Sequence, residues 1–448
     1  RQLEIARARD YHEGDQPVYL SDRLREFLAL RAESDGDEFV MNVTRIVVTA
    51  VAERLVVQSI TCGDEAGQAA ADEWWRASLL GAVSPDVHEQ ALVAGEHFVI
   101  VDWDADAGRP RFTPHPRYTD LDVDDSGGYG VWADYPDDDA TRPPERAVKR
   151  WVEEAEDERG RSVQRIRATV YYPDRVEKYV YVGGWRPLVV DGEPWPLPWL
   201  DAGGAPLGIP VIPFVNRNLR PEARDAWPMQ DALNKTLIDI LAAADTAGFP
   251  IFRAFGFVPT TDGRALADDG SNALNIQPGT IVGSSRPPSE ASFDVLPAGS
   301  LAELRALKQD LVLDVAIVTD TPVSRFKVSA QVAAEGTLKE QDEPLYAKAR
   351  NRQQWFGAAW EQCFAVARRL ANAFGQAGLD ETVPFSATWE PISARSAAEM
   401  QADWKAKREA GVPKRQIWAE MGYTQEQIDG FLADPEVRNG TFATYPAP

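Results

Sequence analysis

The 448 residues predict an α+β fold, and three observations carry that prediction. Helical and strand-like patterns share the first 220 residues without the strict βαβ alternation of a parallel sheet. Two helix-type segments, residues 228–247 and 300–318, bracket a strand-and-turn insert at 249–298. A loop, 319–331, then leads into a long helical pattern, 332–374, broken once at Pro344. Two helices around a β insert, followed by a loop and a broken long helix, describe a protruding hairpin more readily than an enzyme cleft.

In chain order, residues 21–33 open on a Ser-Asp cap signal and place Leu24, Phe27, Leu28 and Arg31 at helical spacing. Residues 42–57 repeat Val43, Ile46, Val47, Ala50, Val51, Arg54 and Leu55 as an amphipathic helix ending near a Val-Val pair. Helices are also predicted over 69–80, with Trp74 and Trp75, and over 85–94. Residues 97–103 (HFVIVDW) read as a buried strand. The stretch 102–139 holds eleven Asp against three Arg and reads as solvated turns between strands. Asp120, Asp122 and Asp124 alternate as in a calcium loop, but Gly is missing at the sixth position and Glu at the twelfth, so an EF-hand is excluded. From Arg165 the chain alternates (IRATVYYP, VEKYVYVGGW, PLVV), predicting antiparallel strands with Gly183-Gly184 at a hairpin turn. A short strand follows at 211–215.

The helix at 228–247 opens on Pro228, which suits a first turn. Met229, Leu233, Leu237, Ile240, Leu241 and Ala244 form its apolar stripe, and Gly248 and Pro250 mark its end. The helix at 300–318 opens on Ser300-Leu-Ala-Glu303, a capping box, and repeats Leu304, Leu307, Leu311, Val315 and Val318. Each is about 28 Å long at 1.5 Å per residue. Beyond a strand-like segment, 383–389, the chain is helical again, with capping boxes at 396–399 and 424–427 and a Gly411-Val-Pro413 turn.

Composition narrows the function. Asp plus Glu number 70 against 47 Lys plus Arg, a net charge of −23. Phosphate binding needs clustered cations, so such a chain does not grip nucleic acid broadly. Its acidity serves solubility, or a surface that lies near DNA without sticking to it. Two cysteines, Cys62 and Cys363, give no disulfide framework and fit a reducing compartment. The four histidines lack zinc spacing. No apolar run is long enough to span a membrane. The chain opens on Arg1, so a native N-terminus is expected upstream, and no signal peptide is visible. Walker A, GxGxxG, GxSxG and HExxH motifs are missing. Neither a catalytic residue, a metal site nor a cofactor is expected. Abundant Asp with 14 Trp leaves an acidic glycoside-hydrolase-like cleft as an alternative, although Trp more often packs in cores and interfaces.

In the loop at 319–331, Arg325 and Lys327 would project toward a central opening if the chain formed a ring, and Lys308 on the preceding helix would do the same. Repeated around a ring, each makes a basic girdle.

Several stretches taken together resemble the portal proteins of tailed bacteriophages, the head-to-tail connectors, in the branch found in long-tailed phages of Gram-positive hosts. They are Ala52-Glu-Arg-Leu-Val56, Asp72-Glu-Trp-Trp75, 91–101 (ALVAGEHFVIV), 208–216 (GIPVIPFVN), 229–250, 315–322 (VAIVTDTP) and Trp389-Glu-Pro391. Their order and spacing, over about residues 23–434, carry the likeness. The resemblance implies a portal fold assembled as a ring of twelve. The wing would be 1–227 and 332–378, the stem helices 228–248 and 300–318, the clip 249–299, the tunnel loop 319–331 and the crown 379–448. Ile251, Phe252, Phe255 and Phe257 would meet neighbours in the clip, because an insert of this size has little core of its own. The resemblance also implies a virion protein at one capsid vertex, assembled in the host cytoplasm, that passes double-stranded DNA without sequence specificity. Expected partners are further copies of the chain, the major capsid protein, a scaffolding protein, the terminase large subunit and a head-tail adaptor, with no membrane. Another ring-forming capsid or tail connector is the remaining alternative.

Overall fold

A computed structural model describes residues 2–16, 18, 40–118, 129–140, 142–156, 162–190, 192–248, 252–255, 260–261, 264–265, 289, 292–295, 301–326, 335–393, 397–421, 423 and 425–433. The chain divides into two units, residues 1–390 and 391–448. Helices and mostly antiparallel strands share the first unit, so the α+β class holds. Several expectations fall outside the described residues, among them the helix at 21–33, the Asp120–Asp124 alternation and the Ser300, Ser396 and Thr424 caps.

The first unit opens with helix α1 (Gln2–Glu13), which the periodicity did not announce, and α2 (Thr44–Ala52). The predicted helix 42–57 stops early, because its Val-Val end enters strand β1 (Val57–Cys62). Two β-branched residues at the helix exit favour an extended chain. Helix α3 (Glu65–Ala77) is capped by Asp64, whose carboxylate accepts from the Gly67 N–H at 2.7 Å. Helix α4 (Leu80–Ala94) starts five residues before Pro85. Its first turn closes by itself, through Ala82 and Val83 N–H bonds to the Leu79 carbonyl. Strands β2 (Glu96–Asp104) and β3 (Arg109–His115) follow, so part of the acidic stretch is strand. Gly95 turns the chain from α4 into β2 at φ 82°, and a Cβ there would sit 2.6 Å from the Leu219 carbonyl oxygen.

Strands β4 (Gly130–Asp134), β5 (Arg146–Glu156), β6 (Ser162–Tyr171), β7 (Arg175–Tyr181) and β8 (Trp185–Pro187) form one sheet in that order, with β9 (Leu197–Pro198) paired to β7. The turn between β7 and β8 uses Gly183 and Gly184 at φ 64° and 159°, as the sequence predicts. Strand β10 (Val211–Val215) joins β2 and β3 in a second sheet, order β10-β2-β3.

After the hairpin α5–insert–α6, taken up below, helix α7 (Glu335–Gly375) forms the spine of the first unit. Pro344, where the sequence predicts the long helix to break or kink, lies inside one continuous helix. Glu340, whose carbonyl loses its N–H partner at Pro344, is solvent-exposed, so water can satisfy that oxygen. Leu345, Ala349, Arg352, Phe356, Ala359, Cys363, Val366 and Leu370 are all buried at alternating spacings of four and three. That stripe lies against β2, β3, β10 and strand β15 (Phe385–Trp389). Strand β15 pairs antiparallel with β1, so residues up to Glu390 belong to the first unit, whereas the sequence reading begins the last segment at 379.

At the centre of this core His88 is wholly buried. Its Nδ1–H donates to the Leu55 carbonyl at 2.8 Å, while Trp360 Nε1–H donates to its Nε2 at 2.9 Å. Indole is a donor only, so the imidazole is neutral with its proton on Nδ1. Burial pushes its pKa down to about 3.

The second unit holds helices α8 (Ala397–Glu409), α9 (Lys414–Glu420) and α10 (Gln425–Ala433). Trp418 and Tyr423 pack edge-on against Phe431, over buried Ile417 and Ile428.

Candidate functional site

Two helices, α5 (Trp227–Gly248) and α6 (Leu301–Val318), flank the insert and pack on each other. Both predicted helices are present to within a residue at most of their ends. Helix α5 buries Gln230, Leu233, Asn234, Thr236 and Ile238. Gln230 Nε2 donates to the Met41 carbonyl at 2.8 Å, and its Oε1 accepts from the Val43 N–H at 2.9 Å, which ties α5 to the start of α2. Helix α6 buries Val312, Val315 and Ala316 near its end. Its other side presents Leu307, Leu313, Ile317 and Val318 to solvent, alongside exposed Asp310 and Asp314.

Of the insert, the structure describes two short antiparallel pairings: β11 (Phe252–Phe255) with β14 (Ser292–Val295), and β12 (Thr260–Thr261) with β13 (Arg264–Ala265). The backbones of Phe252 and Phe255 are in β11; Ile251 and Phe257 lie outside the described residues.

The exit of α6 is sharply defined. Asp320 takes a left-handed conformation, φ 48°, the Thr321 N–H reaches back to the Ala316 carbonyl at 3.0 Å and the Asp320 N–H to that of Ile317 at 3.3 Å. This is a Schellman cap, with an aspartate where glycine is usual and Pro322 just beyond to prevent continuation. Thr319 Oγ1–H donates to the Val315 carbonyl at 2.6 Å.

What anchors this exit is a buried ion cluster. Lys348 Nζ, on α7, donates to the Thr319 carbonyl at 2.6 Å and to Glu222 Oε1 at 2.8 Å. Arg352 Nη2, one helical turn on, reaches Glu222 Oε2 at 2.8 Å. Asn216 Nδ2 adds a 3.2 Å bond to that oxygen. Burial by itself would raise the Glu222 pKa, but Lys348 and Arg352 more than reverse that and hold it at about 2. The cluster therefore fixes three pieces of chain at one point: the end of α6, the middle of α7 and the segment entering α5.

Beyond the cap, a short turn at Val323–Arg325 carries Arg325. Its Nη2 bonds Glu53 Oε2 at 2.8 Å, at the C-terminal end of α2. Lys308 is half-buried on α6 and has no ion-pair partner among the described residues. Lys327 lies outside them. The three sequence-predicted basic residues are thus not brought together in the described residues. The sequence reading missed Glu222, Lys348, Arg352 and Glu53. One signal was available: Arg352 falls on the apolar stripe of α7, with Lys348 one turn before it, and a cation buried at such a position calls for an anion.

Nothing in this geometry is a catalytic constellation. Among the described residues no group of three or more His, Cys, Asp or Glu is placed to hold a metal, and no helix is long and apolar enough to cross a membrane. Residues 34–429 match the family model "Phage portal protein, SPP1 Gp6-like". The chain is also similar to the portal protein of Mycobacterium phage L5, 23% identical over 439 residues that span 91% of this chain and 82% of that one. It is 23% identical to the portal protein of Mycobacterium phage D29 over 409 residues, 85% and 75% of the two chains.

Proposed function

We infer that this chain, which belongs to the phage portal protein family, builds a ring whose central channel passes double-stranded DNA. Family membership makes it a structural virion protein that connects and serves DNA packaging, and it sets aside the glycosidase alternative. The finer assignments are our reading. Helices α5 and α6 form the stem, residues 249–299 the clip, 319–331 the tunnel loop, α7 with the rest of the first unit the wing, and the second unit the crown. Twelve copies close the ring. Terminase, capsid, scaffolding and adaptor proteins dock on its outer surfaces.

One observation carries this reading: the face of α6 that α5 leaves uncovered. Leu307 is 47% exposed and Ile317 63%, on a helix whose opposite side is already buried. Apolar side chains repeated along one helix favour a surface that neighbouring subunits cover. The same helix adds Asp310 and Asp314, which suit a wall that repels DNA phosphate, so that the duplex slides. Arg325 and Lys308 supply the sparse cations that touch its backbone, with Arg325 held to the wing by Glu53 between contacts.

Negative-stain electron microscopy of the purified protein, with class averages sorted by rotational symmetry, tests the reading. Twelvefold rings with a central hole are expected. A monodisperse monomer at every concentration, or rings closed without an opening, overturns it.

A further inference from the structure

Charge is unevenly divided between the two units. Residues 391–448 hold seven cations and eight anions, whereas residues 1–390 hold 40 and 62. Nearly all of the chain's negative excess therefore lies in the first unit. Within the second, five of the seven cations fall in eleven residues, 405–415, against the single anion Glu409, and no other window of that length holds as many.

The local structure gathers them. Helix α8 ends in a Schellman turn, with Val412 N–H on the Lys407 carbonyl at 3.0 Å, Gly411 N–H on that of Arg408 at 3.2 Å and Gly411 at φ 83°. Helix α9 then begins at once, its Ile417 N–H bonded to the Pro413 carbonyl at 3.2 Å. The last turn of α8 and the first of α9 are so joined by one tight corner. Lys407 is engaged by Asp403 at 3.1 Å. Lys405, Arg408, Lys414 and Arg415 are exposed, and Lys414 and Arg415 keep that exposure while also interacting within the chain. Helix stability accounts for Arg408, since a cation in a last turn complements the helix dipole. It does not account for Lys414 and Arg415, which open α9 at the end where the dipole disfavours positive charge.

We propose that Lys405, Arg408, Lys414 and Arg415 form a contact surface for the sugar-phosphate backbone of double-stranded DNA, a proposal that rests on the portal reading. The ligand class follows from what surrounds the cations. The exposed residues between them are Ala406, Glu409, Ala410, Gly411 and Pro413, without a large apolar anchor of the kind protein interfaces use at their core. Trp418 is packed on Phe431, away from base stacking. Trp404, beside Lys405, is half-buried, and the patch otherwise offers point charges without exposed aromatic or base-reading side chains between them, which suits phosphates of any sequence. Besides the sparse contacts of Arg325 and Lys308, an acidic chain thus keeps a surface where DNA is held instead of repelled.

The test is fluorescence anisotropy of the assembled protein with a random-sequence duplex, between about 50 and 200 mM salt. Binding is expected to be indifferent to sequence and to weaken with salt. Replacing all four residues (K405Q, R408Q, K414Q and R415Q together) should lower affinity at least tenfold and flatten the log K against log salt slope by about 3 to 4, at about 0.9 for each phosphate no longer neutralised. The control removes four surface cations of the first unit (R142Q, R220Q, K235Q and R350Q), which changes net charge equally and should leave binding unchanged. The proposal is overturned if wild type fails to bind, if the quadruple variant binds as wild type does, if the control weakens binding as much, or if poly-glutamate competes as well as DNA. Rings that form normally without DNA binding sink this surface alone; the lack of any ring sinks the portal reading itself.

Discussion

Two ionic sites lie at the exit of α6, and their surroundings give them different weights. Glu222 is almost wholly buried and answers two cations, Lys348 and Arg352. Glu53 and Arg325 meet with both partners partly in water. Exposed pairs are worth about 0–1 kcal/mol, whereas removing one partner of a buried set leaves uncompensated charge and costs about 3–5 kcal/mol. Glu222→Gln should therefore lower the urea midpoint of unfolding by several times as much as Arg325→Gln. It should also speed hydrogen exchange at Thr321, whose N–H completes the α6 cap, because the Lys348 ammonium that orients the Thr319 carbonyl loses its counter-ion. Equal destabilisation by the two substitutions would show that the cluster does not anchor the loop.

At the scale of elements, sequence periodicity exposed what is local and hid what is not. Helices α5, α6 and α7 were legible because their apolar residues recur every three or four positions, and β2 and β10 because each centres on a short apolar run, 98–101 and 211–215. Strand β1 was not: its burial runs in threes, without the period-two alternation of a half-buried strand, and its partner β15 lies more than 300 residues away. The Glu222 cluster was hidden for the same reason, since its members are joined across 126 and 130 residues. Pro344 is the converse case, a strong local signal that does not end the helix: the chain stays helical through it, with exposed Glu340 free to meet water. The exposed face of α6 was half legible. Leu307 and Val318 entered the predicted stripe, but burial selects Val312, Val315 and Ala316 against the body and leaves Leu307, Leu313, Ile317 and Val318 outside. That separation makes α6 testable as an interface. Ile317→Glu places a charge where the isolated subunit has only solvent, so its stability should change by no more than about 0.5 kcal/mol. In a ring the same carboxylate would be desolvated against a neighbour, and assembly should fail by size-exclusion chromatography with light scattering. Normal rings from a folded Ile317→Glu protein would remove α6 from the subunit interface.

Considered as a whole, the molecule keeps every one of its histidines inside. His12, His88, His97 and His115 are all buried. Burial is the leading cause in each case and lowers all four pKa values, to about 3 for His88, about 4 for His97 and about 3 for His115. In the unfolded chain these groups titrate near 6.5. The folded state thus favours the neutral imidazole, and its contribution is complete above the unfolded value. As pH falls through 6.5 the unfolded chain takes up protons that the folded chain refuses, and stability drops until the folded values are reached. From about pH 7 to 5.5 the loss amounts to about 1 kcal/mol for each of His88, His97 and His115. Glu222 lies outside that window: its stabilisation is present above 4.5 and declines only as pH falls from there toward 2. Measured on the Ile317→Glu subunit, where ring formation does not add concentration-dependent stability, the unfolding midpoint should fall steadily over that window. The fall should shrink in a His97→Gln variant, which has no imidazole to protonate on unfolding. A midpoint that stays level or rises from pH 7 to 5.5 would mean that the buried histidines do not set the acid response of the subunit.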